Sequence, residues 1–121
     1  MAKDLKKITN IEDLRRIARR KVPKMFFDYT RSGSWTENTL RHNSRDFDEI
    51  KFRQKILIDM TNRSLETTMV GETVKMPVAI APTGFTGMMH ADGEIHAARA
   101  AEKFGVPFCL STMSICSIED V

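Results

Sequence analysis

Residues 76–94 read MPVAIAPTGFTGMMHADGE, and the order of residue types in this segment is the strongest indication of the fold class. Residues 77–81 are apolar without alternation, which is typical of a parallel strand covered on both faces. Pro82 and Gly84 then end the strand and free the loop backbone to approach a bound molecule. The stretch therefore predicts a buried strand followed by a loop and a helix.

A second strand follows the helix. The helical run AARAAEKFG ends at Gly105, a favourable helix C-cap, and residues 106–110, VPFCL, are again apolar. The two strand starts lie 29 residues apart, close to the ~30 residues of one βαβ unit. We expect two parallel strands joined by a crossover helix, with a ligand at the loops that follow the strands.

Three helices are predicted before this unit. Thr9 and Glu12 form a capping box for a helix over residues 11–22. Pro23 begins a second helix that Gly33 closes. Thr36 caps a third, which runs to residue 50.

An extended region separates these helices from the βαβ unit. Ile56 and Ile58 alternate within residues 51–60, and a hairpin is expected over residues 67–76, with its turn at Gly71-Glu72. The predicted segments are therefore 1–50 (helical), 51–76 (extended segment and hairpin) and 77–121 (βαβ unit).

The chain is predicted to be the opening portion of a longer polypeptide. Ser114 or Ser117 would cap a helix that begins where the 121 residues stop. In addition, two parallel strands and one helix cannot cover both faces of a parallel sheet.

Composition indicates a soluble globular protein, with 41% hydrophobic and 29% charged residues and a net charge of +3. Residues 1–24 carry nine Lys or Arg against three acids. Such a basic amphipathic segment is either a solvated helix face or a contact for an anionic membrane or partner. Nucleic acid is disfavoured, because no aromatic residues alternate with the basic ones. Without a transmembrane run or signal peptide, the expected location is the cytoplasm, with peripheral attachment to the inner membrane left open.

The cysteines and histidines suggest no metal site. Cys109 and Cys116 have neither CxxC nor zinc-ligand spacing, and a structural or incidental role is expected. His42, His90 and His96 belong to no metal-ligand pattern, so surface or helix-end roles are expected.

Five runs of sequence carry a resemblance to a known family. In order they are KVPKMFFDYTRSG (21–33), FRQKILIDM (52–60), MPVAIAPTGFTGM (76–88), HADGEIHAARAAEKFG (90–105) and PFCLSTMS (107–114). Together they resemble the FMN-dependent L-2-hydroxy-acid dehydrogenases and oxidases, and LSTMSICSIEDV (110–121) is most like the bacterial lactate dehydrogenases among them. The resemblance covers about the first third of a family member. It implies an α/β fold, the amino-terminal portion of a (β/α)8 TIM barrel preceded by helices and a β-hairpin.

The resemblance implies that FMN contacts both loops that follow the strands. Main-chain N–H groups in the loop of Pro82, Thr83 and Gly84 would bond flavin N5 and O4. The Ser111 hydroxyl would bond the flavin ring. Without the resemblance, Pro82 and Gly84 merely terminate a strand and Ser111 caps a turn. Gly84, where family oxidases often have alanine, favours a quinone or cytochrome as electron acceptor.

Two further residues are assigned to the substrate. Tyr29 matches the tyrosine that binds the substrate carboxylate, although by itself a tyrosine after two phenylalanines indicates a core or interface position. Met113 matches a pocket residue that is tryptophan in glycolate oxidase, and its shape would set the room for the substrate side chain.

The implied reaction oxidises an L-2-hydroxy acid, in first place L-lactate, to the 2-oxo acid in a homo-oligomer, a tetramer in the family. The catalytic histidine, the carboxylate-binding arginines and a lysine near flavin N1 are expected downstream, so the 121 residues alone are predicted to be inactive. Two alternatives stay open. One is a non-catalytic flavin- or phosphate-binding barrel, and the other is an interaction module that uses its basic helix.

Overall fold

The computed structural model describes residues 7–121, which divide into two compact units, one ending at Gln54 and the other comprising Lys55–Val121. The first holds helices α1 (Ile11–Lys21), α2 (Lys24–Arg31) and α3 (Asn38–Arg45) and a 3₁₀ turn (Asp46–Glu49). The second holds strands β1 (Thr67–Met69) and β2 (Glu72–Val74) and helices α4 (Thr86–Met89) and α5 (Gly93–Phe104).

Helix α1 is capped one residue later than predicted. Asn10, not Thr9, is the N-cap, and its Oδ1 accepts from the N–H of Asp13 at 2.9 Å. Thr9 instead donates its N–H and hydroxyl to the Asp13 carboxylate at 3.1 and 3.0 Å. The reciprocal capping therefore exists, but Asp13 rather than Glu12 completes it. Glu12 forms an ion pair with Arg15 on the exposed face.

Helix α2 ends at Arg31 with Ser32 as its C-cap, so the predicted closure by Gly33 is wrong. The glycine has a packing reason instead, because a β-carbon at position 33 would stand 3.0 Å from Cβ of Leu40. Pro23 is the N-cap of α2 rather than its first helical residue.

The predicted cap of α3 at Thr36 is also wrong. Glu37 is the N-cap, in a left-handed conformation with φ 56°, and Glu37 Oε1 accepts from the N–H of Gly33 at 3.2 Å. The Glu37 side chain thus accepts a hydrogen bond from the preceding loop and makes none to the first turn of α3. The sequence pattern of helix caps does not predict this contact.

The hairpin forms with its turn at Val70-Gly71, one residue earlier than predicted, and Met69 pairs with Glu72. Both turn residues have positive φ, 53° and 85°, as a tight two-residue hairpin requires. The extended segment at 51–60 forms no strand, and every residue in it is exposed. Alternation alone produces no strand where no neighbouring strand offers hydrogen bonds.

The βαβ unit is present in reduced form. Ile80 and Phe108 form one parallel bridge, in which Ile80 N–H donates to Pro107 O at 2.9 Å and Cys109 N–H donates to Ile80 O at 3.0 Å. Helix α5 is the crossover, and Gly105 closes it as predicted, with φ 82°. The predicted burial of residues 77–81 on both faces is wrong, since all five are exposed. A single crossover helix cannot cover two faces of a sheet.

The hairpin meets this unit at the amino end of its second extended segment. Lys75 N–H donates to Gly105 O at 2.9 Å, and a β-carbon on Gly105 would stand 2.9 Å from the Lys75 side chain. Buried apolar side chains are few in the described residues, namely Phe27 in the first unit and Val74 and Ala101 in the second.

Residues 7–121 contain no closed barrel. Where a terminal helix was expected to begin, Ser117 and Asp120 form a turn through an N–H···O bond of 3.3 Å.

Candidate functional site

Two loops leave the bridged segments at their carboxyl ends and run side by side. The first contains Pro82, Thr83 and Gly84, and the second contains Ser111 and Met113. Phe85 N–H donates to Met113 O at 2.9 Å, which joins the loops directly. We call residues 82–84 and 111–113 the rim.

Gly84 lies at the centre of the rim. A β-carbon there would stand 3.0 Å from Met113 Cβ, 3.6 Å from Ser111 Oγ and 3.7 Å from Met113 O. Gly84 and Ser111, which the resemblance assigns to FMN, therefore lie next to Met113, which it assigns to the substrate.

The rim offers hydrogen-bond donors. Within residues 7–121, the main-chain N–H groups of Thr83 and Gly84 donate to no protein acceptor. Ser111 Oγ accepts from Met113 N–H at 3.1 Å, and its own hydroxyl hydrogen has no acceptor among the described residues. Pro82 contributes no N–H, so it shapes the loop rather than binding through its main chain. The rim therefore holds two main-chain donors and one hydroxyl donor that are free of described protein acceptors.

Tyr29 lies in the other compact unit, on α2, and its side chain is 67% exposed. Its phenol makes no hydrogen bond to the described residues, so it is available to a ligand or to further protein.

Glu94, to which no sequence motif assigns a role, is the most deeply buried charged residue of the described chain, with 1% of its surface exposed. Its Oε1 accepts from Gly87 N–H at 3.0 Å and from Ile115 N–H at 3.2 Å. Its Oε2 accepts from Cys116 Sγ at 3.3 Å. One carboxylate at the start of α5 thus holds the loops on both sides of the rim.

Hydrogen bonding decides the charge state of Glu94. Burial acts to raise the pKa of the carboxyl, but donation from the main-chain N–H groups of Gly87, Glu94 itself and Ile115, and from the Cys116 thiol, outweighs burial and lowers it. For Cys116 the pKa is raised, first by burial and then by the hydrogen bond to Glu94 and its charge. The site therefore pairs an ionised carboxylate with a protonated thiol at neutral pH.

Two glycines mark this site in the sequence. A β-carbon on Gly87 would stand 2.8 Å from Ile115 Cβ and 3.1 Å from Glu94 Oε2. One on Gly93 would stand 2.8 Å from both Cγ2 and O of Thr86. The sequence signal for this site is the pair Gly93-Glu94, a glutamate directly after a glycine at the start of a helix rich in alanine.

The described residues contain no group of three His, Cys, Asp or Glu side chains that could hold a metal ion. His42 Nδ1 lies 2.8 Å from Asp46 Oδ1, and the rings of His90 and His96 meet edge to face with centroids 5.4 Å apart. Both cysteines are free thiols. Over the same residues, no helix is long and apolar enough to cross a membrane.

The chain is similar in sequence to a known protein family and to individual members of it. The sequence profile of a family described as FMN-dependent dehydrogenase matches residues 18–121. An L-lactate dehydrogenase of Vibrio parahaemolyticus is 49% identical over 109 residues, which are 90% of this chain and 29% of that protein.

Solved structures agree with this match. A soluble mutant of the membrane-associated (S)-mandelate dehydrogenase from Pseudomonas putida is 42% identical with a TM-score of 0.85, over 92% of this chain and 32% of that one. An (S)-mandelate dehydrogenase described as a monotopic membrane protein is 40% identical with a TM-score of 0.87, over 94% and 31% of the two chains. The chain thus spans about 30% of the length of the relatives it matches, and its fold corresponds to their amino-terminal part.

Proposed function

The chain belongs to the FMN-dependent dehydrogenase family, and on that premise we propose that it is the opening part of a flavoenzyme that oxidises an L-2-hydroxy acid to the 2-oxo acid. The observation that carries the proposal is the rim. Gly84, Ser111 and Met113 meet at the carboxyl ends of two parallel segments, where barrel enzymes assemble their sites.

The residues present fit FMN. The N–H groups of Thr83 and Gly84 and the hydroxyl of Ser111 are donors without a described protein acceptor, and acceptor atoms N5, O4 and O2 line the edge of the flavin ring. Gly84 has no side chain to keep the ring away from the loop. We therefore assign Pro82, Thr83, Gly84 and Ser111 to FMN.

When bound, FMN supplies the two-electron acceptor for the substrate α-carbon. In the proposed enzyme, Thr83 and Gly84 hold the ring edge with their N–H groups, and Ser111 donates its hydroxyl. Tyr29 donates its phenolic O–H to the substrate carboxylate without adding a second charge to the site. Met113 bounds the space for the substrate side chain. The base that takes the substrate proton comes from chain beyond residue 121.

L-Lactate is the substrate that we propose first, because the Vibrio relative is named an L-lactate dehydrogenase. Gly84 adds little bulk beside the ring, and on that ground we propose a quinone or cytochrome as the electron acceptor. We further propose a homo-oligomer in the cytoplasm, peripheral to the inner membrane, with the segments 1–50, 51–76 and 77–121 as successive parts of each subunit.

Expression of the complete gene tests the proposal. The purified protein is expected to carry FMN, which its visible absorption spectrum would show. It is also expected to reduce a quinone analogue faster with L-lactate as the electron donor than with longer 2-hydroxy acids. Purified residues 1–121 are expected to give no turnover. FMN binding without oxidation of any 2-hydroxy acid would instead favour the non-catalytic barrel.

A basic surface on α1 supports the proposed membrane contact. The last turn carries Arg19, Arg20 and Lys21, all exposed, and none of the three pairs with an acid among the described residues. By contrast, Arg15 and Arg16 earlier in the helix are paired with acids. Co-sedimentation with vesicles of anionic lipid is expected for the complete protein and is expected to fall when Arg19 and Arg20 are both replaced by Glu. If this double replacement leaves co-sedimentation unchanged, the basic residues of α1 form only a solvated helix face.

A further inference from the structure

The two loops of the rim are joined at three successive levels. At the first level, Ile80 shares main-chain hydrogen bonds with Pro107 and Cys109. At the second, Phe85 N–H donates to Met113 O. Residues 82–84 and 111–112 of the rim lie between these two levels, and Met113 takes part in the second.

The third level is made by a side chain. Gly87 and Ile115 lie two residues beyond Phe85 and Met113, and the N–H of each donates to the same oxygen, Glu94 Oε1. Two N–H groups cannot bond each other, so an acceptor between them is the only way to continue the pairing. The carboxylate supplies that acceptor from α5.

The backbone around Glu94 is tightly packed and leaves no room for additional side-chain atoms at two neighbouring glycines. Gly87 has no room for a β-carbon between Ile115 and the carboxylate, and Gly93 has none beside Thr86. Glu94 is 1% exposed, so in the folded protein its carboxylate is the acceptor for both main-chain donors, and loss of the side chain removes that acceptor. The second oxygen is held as well, by Cys116.

We propose that Glu94 is a positioning residue for FMN, a role that rests on the proposed function. Its carboxylate clamps the loop of Gly84 to the loop of Ser111 and so sets the spacing of the donors that meet the flavin edge. Glu94 itself does not touch the flavin in this proposal; it acts through the two loops.

Three substitutions at position 94 in the complete protein separate the effect of the acceptor oxygen's location from the effect of the negative charge. Glu94→Gln keeps an oxygen that accepts from both N–H groups but removes the charge. Glu94→Asp keeps the charge but shortens the side chain by one methylene and loses the reach. Glu94→Ala removes both.

The dissociation constant of FMN for the apoprotein, measured by quenching of flavin fluorescence, is the readout. We expect Glu94→Gln to stay within about threefold of the parent protein, and Glu94→Asp and Glu94→Ala to bind FMN about tenfold or more weakly. If Glu94→Gln keeps the FMN affinity and Glu94→Asp loses it, the location of the hydrogen-bond acceptor, and not the charge, determines FMN affinity.

Val74→Ala is the matched control for lost stability. Val74 is buried in the same unit, in β2, next to Lys75, whose N–H meets Gly105 at the amino end of the second extended segment. It should lower the midpoint of thermal unfolding without changing FMN affinity at a temperature where the protein is folded.

The outcomes separate the two proposals. If the parent protein binds FMN and Glu94→Asp and Glu94→Ala bind it equally well, the positioning role is overturned while the proposed function stands. The positioning role is also overturned if Val74→Ala weakens FMN binding as much as Glu94→Ala. A parent protein that takes up no FMN overturns the proposed function, and the positioning role with it.

Discussion

Gly84 and Met113 approach so closely that a β-carbon on the glycine would stand 3.0 Å from Cβ of the methionine. The two residues belong to different loops, 29 positions apart in the chain. Their contact brings a main-chain donor, a hydroxyl and a flexible apolar side chain to one place. The rim is therefore a product of close backbone packing, which the absence of a side chain at position 84 favours.

Gly84→Ala should strain this contact. The φ of Gly84 lies outside the left-handed region, so the cost arises from the neighbour and not from the backbone. We expect the free energy of unfolding of the complete protein to fall by about 1–3 kcal/mol, measured by urea denaturation. Adding Met113→Gly removes the opposing β-carbon and should recover part of the loss. Strictly additive effects would contradict the contact.

Gly93→Ala should destabilise more strongly. Its β-carbon would meet the main-chain oxygen of Thr86 at 2.8 Å, and a main-chain oxygen cannot rotate away. A loss at the upper end of about 1–3 kcal/mol is expected. Thr86→Ser removes Cγ2 but not the carbonyl, so it should give little relief in the double variant. Full relief would mean that the side chain, and not the backbone, sets the limit.

Val70→Asn should stabilise the hairpin. Val70 is β-branched, 99% exposed and held at φ 53°, a conformation that asparagine tolerates far better. The gain should be about 1 kcal/mol, seen as a higher midpoint of thermal unfolding. Gly71→Ala serves as the opposite control, since φ is 85° there and nothing lies within 4 Å. It should destabilise through backbone strain alone.

Acid should weaken the Glu94 clamp. Because hydrogen bonds hold the pKa of this carboxyl below its usual range in the folded state, the unfolded chain binds the proton more readily. The stabilisation is therefore complete above the ordinary glutamate pKa of about 4.3 and is lost as the pH falls through the lower folded value. Unfolding free energies of the parent protein and Glu94→Gln, measured from pH 7 downward, should converge in acid. A constant difference would contradict the lowered pKa.

Cys116 should matter as a hydrogen-bond donor. Its Sγ lies 3.3 Å from Glu94 Oε2, and a hydroxyl can donate to a carboxylate at least as well as a thiol. Cys116→Ser should therefore retain stability, whereas Cys116→Ala should lose about 0.5–1.5 kcal/mol in thermal or urea unfolding. Equal behaviour of the two variants would show that the thiol only fills space.

Local signals explain which parts of the fold could be predicted. Gly105 is predictable as the cap of α5 because a left-handed residue after a helix is usually glycine. The turn of the hairpin and the caps of α1 and α3 were each misplaced by one residue. Adjacent residues such as Thr9 and Asn10 have equivalent capping chemistry, and the choice between them depends on which side chain accepts from the main-chain N–H of Asp13.

The parallel βαβ order and the loops that carry the rim follow from local sequence signals, because apolar runs, proline and glycine act on the backbone within a few residues. The sequence also determined the family, through five motifs in fixed order. The proximity of Gly84, Ser111 and Met113 and the burial of Glu94 between the loops depend instead on long-range packing. The hydrogen bonds of Glu94 reach residues 7 and 21 positions away, and no local pattern specifies partners at such separations.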